Sequence, residues 1–337
     1  MKKKTALFIG GTGIISTGST NLAIERGWDV TLLRRGQHAS DLIPAEANTI
    51  VCDYNDRDAA EAALQGKYFD VVVNWIEFTP EQAKKSIELF SGKCGQYIFI
   101  SSATVYERPS RQYPITESTP HNNPYSAYAR NKYGCELTFM DAYRASGFPI
   151  TVVRPSLTYG DTQIPMGVGS WTHPWSFVKR ILDGKPVVVH GDGTGLWSFC
   201  HNTDFAKGLV GLMGNPAAVG ETFHITSDEI ITWDESVKCV ARALGKDVKI
   251  VHATSEQIAR FIPGMLSNLV GDKATSAVLD CSKIKKFVPD FRCTVTFNEG
   301  MRRTIAYLSE HPELQTIDEE WDRAIDAIVK ADEAFRP

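Results

Sequence analysis

From the N-terminus to Pro155 the chain alternates between two periodicities, and that alternation constrains the fold more than any other feature. Short apolar runs, "ALFIG", "DVTLL", "NTIVC", "DVVVN", "QYIFIS" and "ITVVRP", have the length and β-branched content of buried strands. Helical patterns separate them over residues 12–26, 57–64, 80–90 and 125–145. A buried strand, a helix and a second buried strand form a crossover. The expected architecture is therefore α/β, a doubly wound parallel sheet with helices on both faces.

After Pro155 the rhythm loosens. "GDTQIPMGVGSWTHPW" is rich in Gly, Pro and Trp and reads as a long loop. A helix is expected near 176–183, a strand at "PVVVH", a helix over 202–213 and a strand at "ETFHIT". Further helices are expected near 233–244, 255–261, 298–309 and 319–334. The expected division is a nucleotide-binding unit over 1–160, to which 200–226 returns. A smaller mixed α/β substrate lobe comprises 161–199 and 227–337, including the C-terminal helices.

The first crossover carries a chemical signal. "ALFIGGTGIIS" is a strand running into Gly10, Gly11, Thr12 and Gly13 and then a helix opening with Ile14 and Ile15. Main-chain N–H groups at a helix N-terminus, with no Cβ in the way, accept a pyrophosphate closely, which makes the sheet Rossmann-type. Ser16 stands where a third glycine would serve helix–strand packing, and its side chain is small. A dinucleotide site needs a group for the adenosine ribose about twenty residues on. There the second strand ends "TLLRRG", with Arg34 and Arg35 and no carboxylate. Guanidinium suits a 2′-phosphate, so NADP is slightly favoured over NAD, unless the two arginines are simply solvated at a strand end. Asp53, after the third strand, is either an acceptor for the adenine amino group or a turn residue.

The second signal is Tyr128 and Lys132, four residues apart and so on one face of a helix. The spacing alone decides nothing. Its context does, because Ser101, Ser102 and Thr104 close the fifth strand, and ligands of open α/β sheets bind beyond the carboxyl ends of strands. A free Tyr titrates near about 10 and is a poor base at neutral pH. A nearby ammonium and a cationic nicotinamide ring favour the phenolate. Ser102 would hold the substrate oxygen while hydride passes between the same carbon and the nicotinamide.

These segments, with "SSATVY", "YARNK", "RPSLTYG", "VVHGDGTGLWSFCHNTDFA" and "TFHITSDEIITW" in order, resemble the extended short-chain dehydrogenases/reductases of the NAD-dependent epimerase/dehydratase type. The Gly10-x-x-Gly13-x-x-Ser16 spacing is that of the extended branch, and the resemblance runs over nearly the whole chain. It implies that Ser102, Tyr128 and Lys132 are catalytic, with Lys132 also on the nicotinamide ribose. It also implies that Asn74 and Pro155 to Leu157 touch the cofactor, and that His201 and Asp204 brace a loop and a helix cap. The implied activity is that of an NAD(P)-dependent epimerase, dehydrogenase or reductase acting on a secondary alcohol or ketone of a carbohydrate-like small molecule.

The chain departs from the family pattern in two places. Members that dehydrate sugar nucleotides carry an Asp–Glu pair in the "SS..VY" stretch, where this chain has Ala103 and Thr104. Members acting on nucleotide sugars usually carry an Arg for the diphosphate where Trp197 and Ser198 stand here. The expectation is an apolar, uncharged pocket in which Thr104, Trp171, Trp175 and Trp197 meet the substrate, unless these tryptophans are core. The competing expectations are two. One is a nucleotide-sugar epimerase in which another cation, Lys179 or Arg180, takes the diphosphate. The other is a non-catalytic dinucleotide-sensing or RNA-binding relative.

Composition sets the outer limits. A net charge of −4 gives no electrostatic footprint for nucleic acid. Hydrophobic content of 43% contains no run long enough for a membrane span, and "MKKK" leads into a Gly-rich turn rather than a cleavage site. The seven Cys and eight His are scattered, with no metal-ligand spacing. A cytoplasmic, metal-free protein with a small-molecule substrate is expected, and a homodimer is compatible with the sequence.

Overall fold

The structure is a computed structural model that describes residues 3–36 and 44–334. In chain order the first half comprises β1 (Thr5–Ile9), α1 (Ile14–Glu25), β2 (Asp29–Arg34), β3 (Asn48–Val51), α2 (Arg57–Leu64), β4 (Val71–Asn74), α3 (Pro80–Phe90), β5 (Tyr97–Ile100), α4 (Ala127–Ser146) and β6 (Ile150–Pro155). There follow β7 (Leu157–Tyr159), α5 (Trp175–Leu182), β8 (Val187–His190), β9 (Leu196–Trp197), β10 (Phe199–His201), α6 (Asn202–Leu212) and β11 (Thr222–Ile225). The chain ends with β12 (Ile231–Thr232), α7 (Trp233–Ala243), β13 (Ile250–Ala253), α8 (Ser255–Phe261), α9 (Met265–Asn268), α10 (Ser282–Phe287), α11 (Phe297–Glu310) and α12 (Glu319–Glu333). A π-helical turn over Leu269–Lys273 follows α9.

The main sheet has seven parallel strands in the order β3–β2–β1–β4–β5–β6–β11. The chain winds outward from β1 to β3, then returns to lay down β4 on the other side of β1. The crevice beyond Ile9 and Asn74 is the point where winding reverses, and ligands of such sheets bind there. Pleat alternation divides the side chains between two cores. Ala6, Phe8 and Val73 pack with Leu209 and Phe223, while Leu7, Ile9 and Val72 pack with Tyr97 and Phe139. The third core joins Val188, Trp233, Val240, Met301 and Trp321 to Val105, Tyr106 and Tyr159.

Three two-stranded pairs, β7–β10, β8–β13 and β9–β12, lie outside the main sheet. Strand β11 forms the edge of the main sheet, and α6 packs closely on α1: a Cβ at Gly18 would lie 2.7 Å from the Asn202 carbonyl oxygen. Asn202 also donates to the Ile14 carbonyl at 2.7 Å. Helix α10, within the stretch expected to belong to the substrate lobe, puts Ile284 and Val288 into the core shared by α6 and β11. Asp204 is fully buried and accepts from the main chain of Thr294 and Val295, each at 2.8 Å. His201 caps α6.

Candidate active site

The Gly-rich turn is shaped by backbone conformation. Gly10 (φ +100°) and Gly11 (φ +68°) take the left-handed region, so α1 starts two residues later than the pattern suggests. Ser16 does more than tolerate the missing glycine, because its Oγ accepts from the Gly13 N–H at 2.8 Å and so caps the helix start. Helices leave their first N–H groups without intrahelical partners, and those of α1 border a cleft. Gly10 to Ser16, Trp75, Tyr128 and Lys132 line it, with Pro155 to Thr158 and Trp171 opposite. A second cavity of about 330 Å³ continues from Gly10 and Thr12 to Arg34, Arg35 and Asp53. Asp53 is both lining and turn residue, since its Oδ1 accepts from the Asn55 N–H at 2.9 Å. Glycines without Cβ, helix-terminal N–H groups and a cleft running on to two arginines fit a dinucleotide. Among the described residues, no His, Cys, Asp and Glu side chains gather as a metal-binding group.

Strand β5 delivers Ser101 and Ser102 to the crevice, and Ser126 caps α4 so that Tyr128 lies in its first turn and Lys132 one turn further. Ser102 Oγ accepts from Thr104, from its N–H at 3.2 Å and its hydroxyl at 2.9 Å. Tyr128 is 44% exposed, while Lys132 is buried. The Lys132 Nζ donates to the carbonyls of Glu77 and, at 2.8 Å, Ile100, which leaves one N–H of the ammonium. Burial brings its pKa down to about 8. Burial pushes Tyr128 up to about 12 against the opposing hydrogen bond with Ser102, and the Asp272 charge adds to the rise. The Lys132 Nζ lies 5.9 Å from the Tyr128 ring centroid, with two of its hydrogens on main-chain carbonyls.

A further cavity of about 350 Å³ opens beyond Tyr128, lined by Ser102, Thr104, Ser156, Leu157, Trp171 and Trp197 among others. Trp197 is buried against Trp233, with ring centroids 5.1 Å apart, and still forms part of this wall. Two expected site residues lie elsewhere. Trp175 is buried in the third core and lines neither the cleft nor this cavity, because α5 turns it inward. Asn74 is fully buried, with its amide spent on the Tyr97 hydroxyl (3.0 Å) and the Ile76 N–H (2.9 Å), so it does not reach the cleft. Neither Lys179 nor Arg180 approaches the cavity. Lys179 pairs with Asp183, and Arg180 with Asp322 and Asp326.

Nor is the cavity uncharged. Arg108, Asp272 and Lys273 line it, together with Ser126, Ser267 and Asn268. Sequence reasoning missed all of these. Arg108 follows the "SSATVY" stretch closely enough to be suspected, but Asp272 and Lys273 come from a π-helical turn that only folding brings there. Behind the site, a buried polar network fixes the strand ends. Arg154 donates to Glu136 through Nε (2.9 Å) and Nη2 (2.5 Å), Ser101 joins Glu136 at 2.5 Å, and Arg154 meets the Tyr106 hydroxyl at 2.6 Å.

A doubly wound sheet with a helix-borne Tyr–Lys pair between a dinucleotide cleft and a second cavity defines an extended short-chain dehydrogenase/reductase. The pattern of the NAD dependent epimerase/dehydratase family matches residues 6–226, and the chain belongs to that family. Among curated relatives, it is 26% identical over 263 residues to the Arabidopsis thaliana chloroplast stem-loop binding protein of 41 kDa b, covering 74% of this chain and 66% of that one. It is 29% identical over 184 residues to a dTDP-glucose 4,6-dehydratase from Actinoplanes, covering 55% and 51%. The matches thus span about half to two thirds of these relatives' lengths. Among solved structures, an epimerase from Methanothermobacter thermautotrophicus superposes with a TM-score of 0.76 at 19% identity, covering 93% of this chain and 94% of that one. A Bacillus cereus UDP-glucuronic acid 4-epimerase, in complex with UDP-glucuronic acid and NAD, superposes with a TM-score of 0.73 at 19% identity, covering 91% and 99%. At that identity the likeness is one of fold. No described helix is long and apolar enough to cross a membrane.

Proposed function

We propose that the chain moves hydride between NAD(P) and a secondary alcohol or ketone of a small carbohydrate-like molecule, as a dehydrogenase, reductase or epimerase. One observation carries this reading. Ser102, Tyr128, Pro155, Ser156, Leu157 and Trp171 line both the dinucleotide cleft and the further cavity, so the two meet at the Tyr128 phenol. Bound nicotinamide supplies the hydride acceptor or donor. Ser102 Oγ holds the substrate oxygen, and Tyr128 gives that oxygen a proton in reduction or takes one in oxidation. Lys132, anchored by two carbonyls, offers its remaining N–H to a ribose hydroxyl. Trp171, on both cavities, gives their junction an apolar wall. Dehydration is not part of the proposal, since Ala103 and Thr104 supply no acid–base pair and the cavity's carboxylate, Asp272, is paired with Arg108 and Lys273.

Tyr128→Phe tests it directly. The ring and its packing stay while the proton carrier goes, so turnover should fall by about a hundredfold or more with cofactor affinity nearly unchanged. Near-normal turnover of any substrate that changes cofactor absorbance would return Tyr128 to an ordinary helix face. Cofactor retained through purification supports an epimerase, and free exchange supports a dehydrogenase or reductase.

NADP is the slightly favoured cofactor, because Arg34 and Arg35 line the adenosine end of the cleft. NADP should bind more tightly than NAD by a margin that shrinks with salt, and Arg34→Asp should reverse the order. Equal affinities in the unaltered protein would remove these arginines from the site. Similarity to a stem-loop binding protein supports a second reading, RNA binding. The net charge of −4 opposes it. Stem-loop RNA retained on a filter at physiological salt would favour it over the catalytic reading.

A further inference from the structure

We infer that the far wall of the substrate cavity is an anion subsite. On this inference the substrate is a small polyhydroxylated molecule with one oxyanion, carboxylate or phosphate, held by Arg108 and Lys273 while its carbinol lies at Tyr128. The placement of the carbinol rests on the function proposed above. The oxyanion stands on separate observations.

Arg108 is 4% exposed, and its Nε and Nη1 are buried with no protein partner. Its Nη2 makes only two long contacts, 3.4 Å to the Ala103 carbonyl and 3.4 Å to Asp272 Oδ1. A guanidinium carries five N–H donors in a planar fork matched to a carboxylate or phosphate. Leaving most of them unmet inside a protein is costly, and a ligand in the cavity that Arg108 lines would remove that cost.

Lys273 is 5% exposed and reaches Asp272 Oδ2 at 3.2 Å. Two buried cations therefore share a single carboxylate, and among the described residues no other acidic side chain lines the cavity. The wall holds one uncompensated positive charge. Trp197 adds a donor, since its buried Nε1 also has no partner. The rest of the lining suits hydroxyls: Ser102, Thr104, Ser126, Ser156, Ser267 and Asn268. One surplus charge matches one oxyanion better than a diphosphate. At about 350 Å³ the cavity also falls at the small end of ligand sites, which run from about 300 to 1,000 Å³.

The test is calorimetric titration of the NAD-loaded protein with D-glucose, D-glucuronate, D-glucose 6-phosphate and UDP-glucose. Glucuronate or glucose 6-phosphate should bind about tenfold or more tightly than glucose, with affinity falling as salt is added. Whichever of the two binds better identifies carboxylate or phosphate as the group recognised. Arg108→Gln should cut that affinity about tenfold or more, leaving NAD affinity unchanged. Lys273→Gln should do the same, and keeps the test decisive if the Arg108 variant does not fold. Glucose binding as tightly as the anions, UDP-glucose binding more tightly than both, no binding by any of the four, or full anion affinity in the folded variants would each overturn the subsite. The two proposals fail differently. Anion binding without any cofactor absorbance change sinks hydride transfer and keeps the subsite. Turnover of a neutral sugar, unaffected by Arg108→Gln, does the reverse.

Discussion

Glu77 is fully buried, and nothing in "NWIEFTP" marks it for that position. It accepts from the Ser86 hydroxyl, which lies 2.5 Å from the Tyr54 hydroxyl, and its Oε2 has no partner. Its own carbonyl holds Lys132 of α4. Burial raises its pKa from 4.5 to about 8, so the folded state keeps a proton that the unfolded chain releases. Stability from this group is complete below about pH 4.5 and is lost as pH rises towards 8. Lys132, shifted down to about 8, acts in the next window up: its contribution grows between about pH 8 and 10.5. Glu77→Gln should therefore flatten the decline in melting temperature between pH 5 and 8, within the window that the Glu77 shift defines. An unchanged slope in thermal melts across that range would mean that Glu77 does not hold a proton there. Sequence reading singled out Ser102, Tyr128 and Lys132 as candidates through their spacing and order, and the structure brings them to one cleft, whereas Glu77, Arg108 and Lys273 have their character only through burial.

Elements were legible where periodicity had room to show. The six early strands and four early helices fall within a few residues of their patterns. The residual errors have local causes: positive φ at Gly10 and Gly11 delays α1, and capping by Ser126 delays α4. Two-residue strands such as β9 and β12, and the short helix α9, carry no periodic signal at all. Packing of α1 on α6 was similarly invisible, although α1's row of small residues permits it. Ser16, Thr17, Gly18, Ser19 and Thr20 are all buried. A Gly18→Ala change gains about 1 kcal/mol of helix propensity. The added Cβ would stand 2.7 Å from the Asn202 carbonyl oxygen, a main-chain atom that cannot turn aside. Overpacking of that kind costs about 1–3 kcal/mol, so the variant should be destabilised in urea melts. It should also bind dinucleotide more weakly, because α1 carries the N–H groups of the cleft. Wild-type stability with wild-type NAD affinity would show that the two helices separate freely.

For the whole molecule, the sequence by itself determined the class of fold. Continuous apolar strands need cover on both faces, and alternation with helices leaves a parallel doubly wound sheet as the way to supply it. It also marked the candidate cofactor end, because a Gly-rich turn, a helix start and a Tyr–Lys helix are local patterns that can be read without a distant partner. The character of the second cavity was decided only by tertiary structure. Reading Trp197 in place of a cation suggested an uncharged wall, and the tryptophan lines a cavity that is not uncharged. The charge comes instead from Arg108, after β5, and from Asp272 and Lys273 in the π-helical turn, which Asn123 ties to the active-site side by donating at 2.7 Å to both Thr104 O and Gly271 O. Charge in a cavity is a sum over residues that share a space, and the linear order of the chain does not say which residues those are.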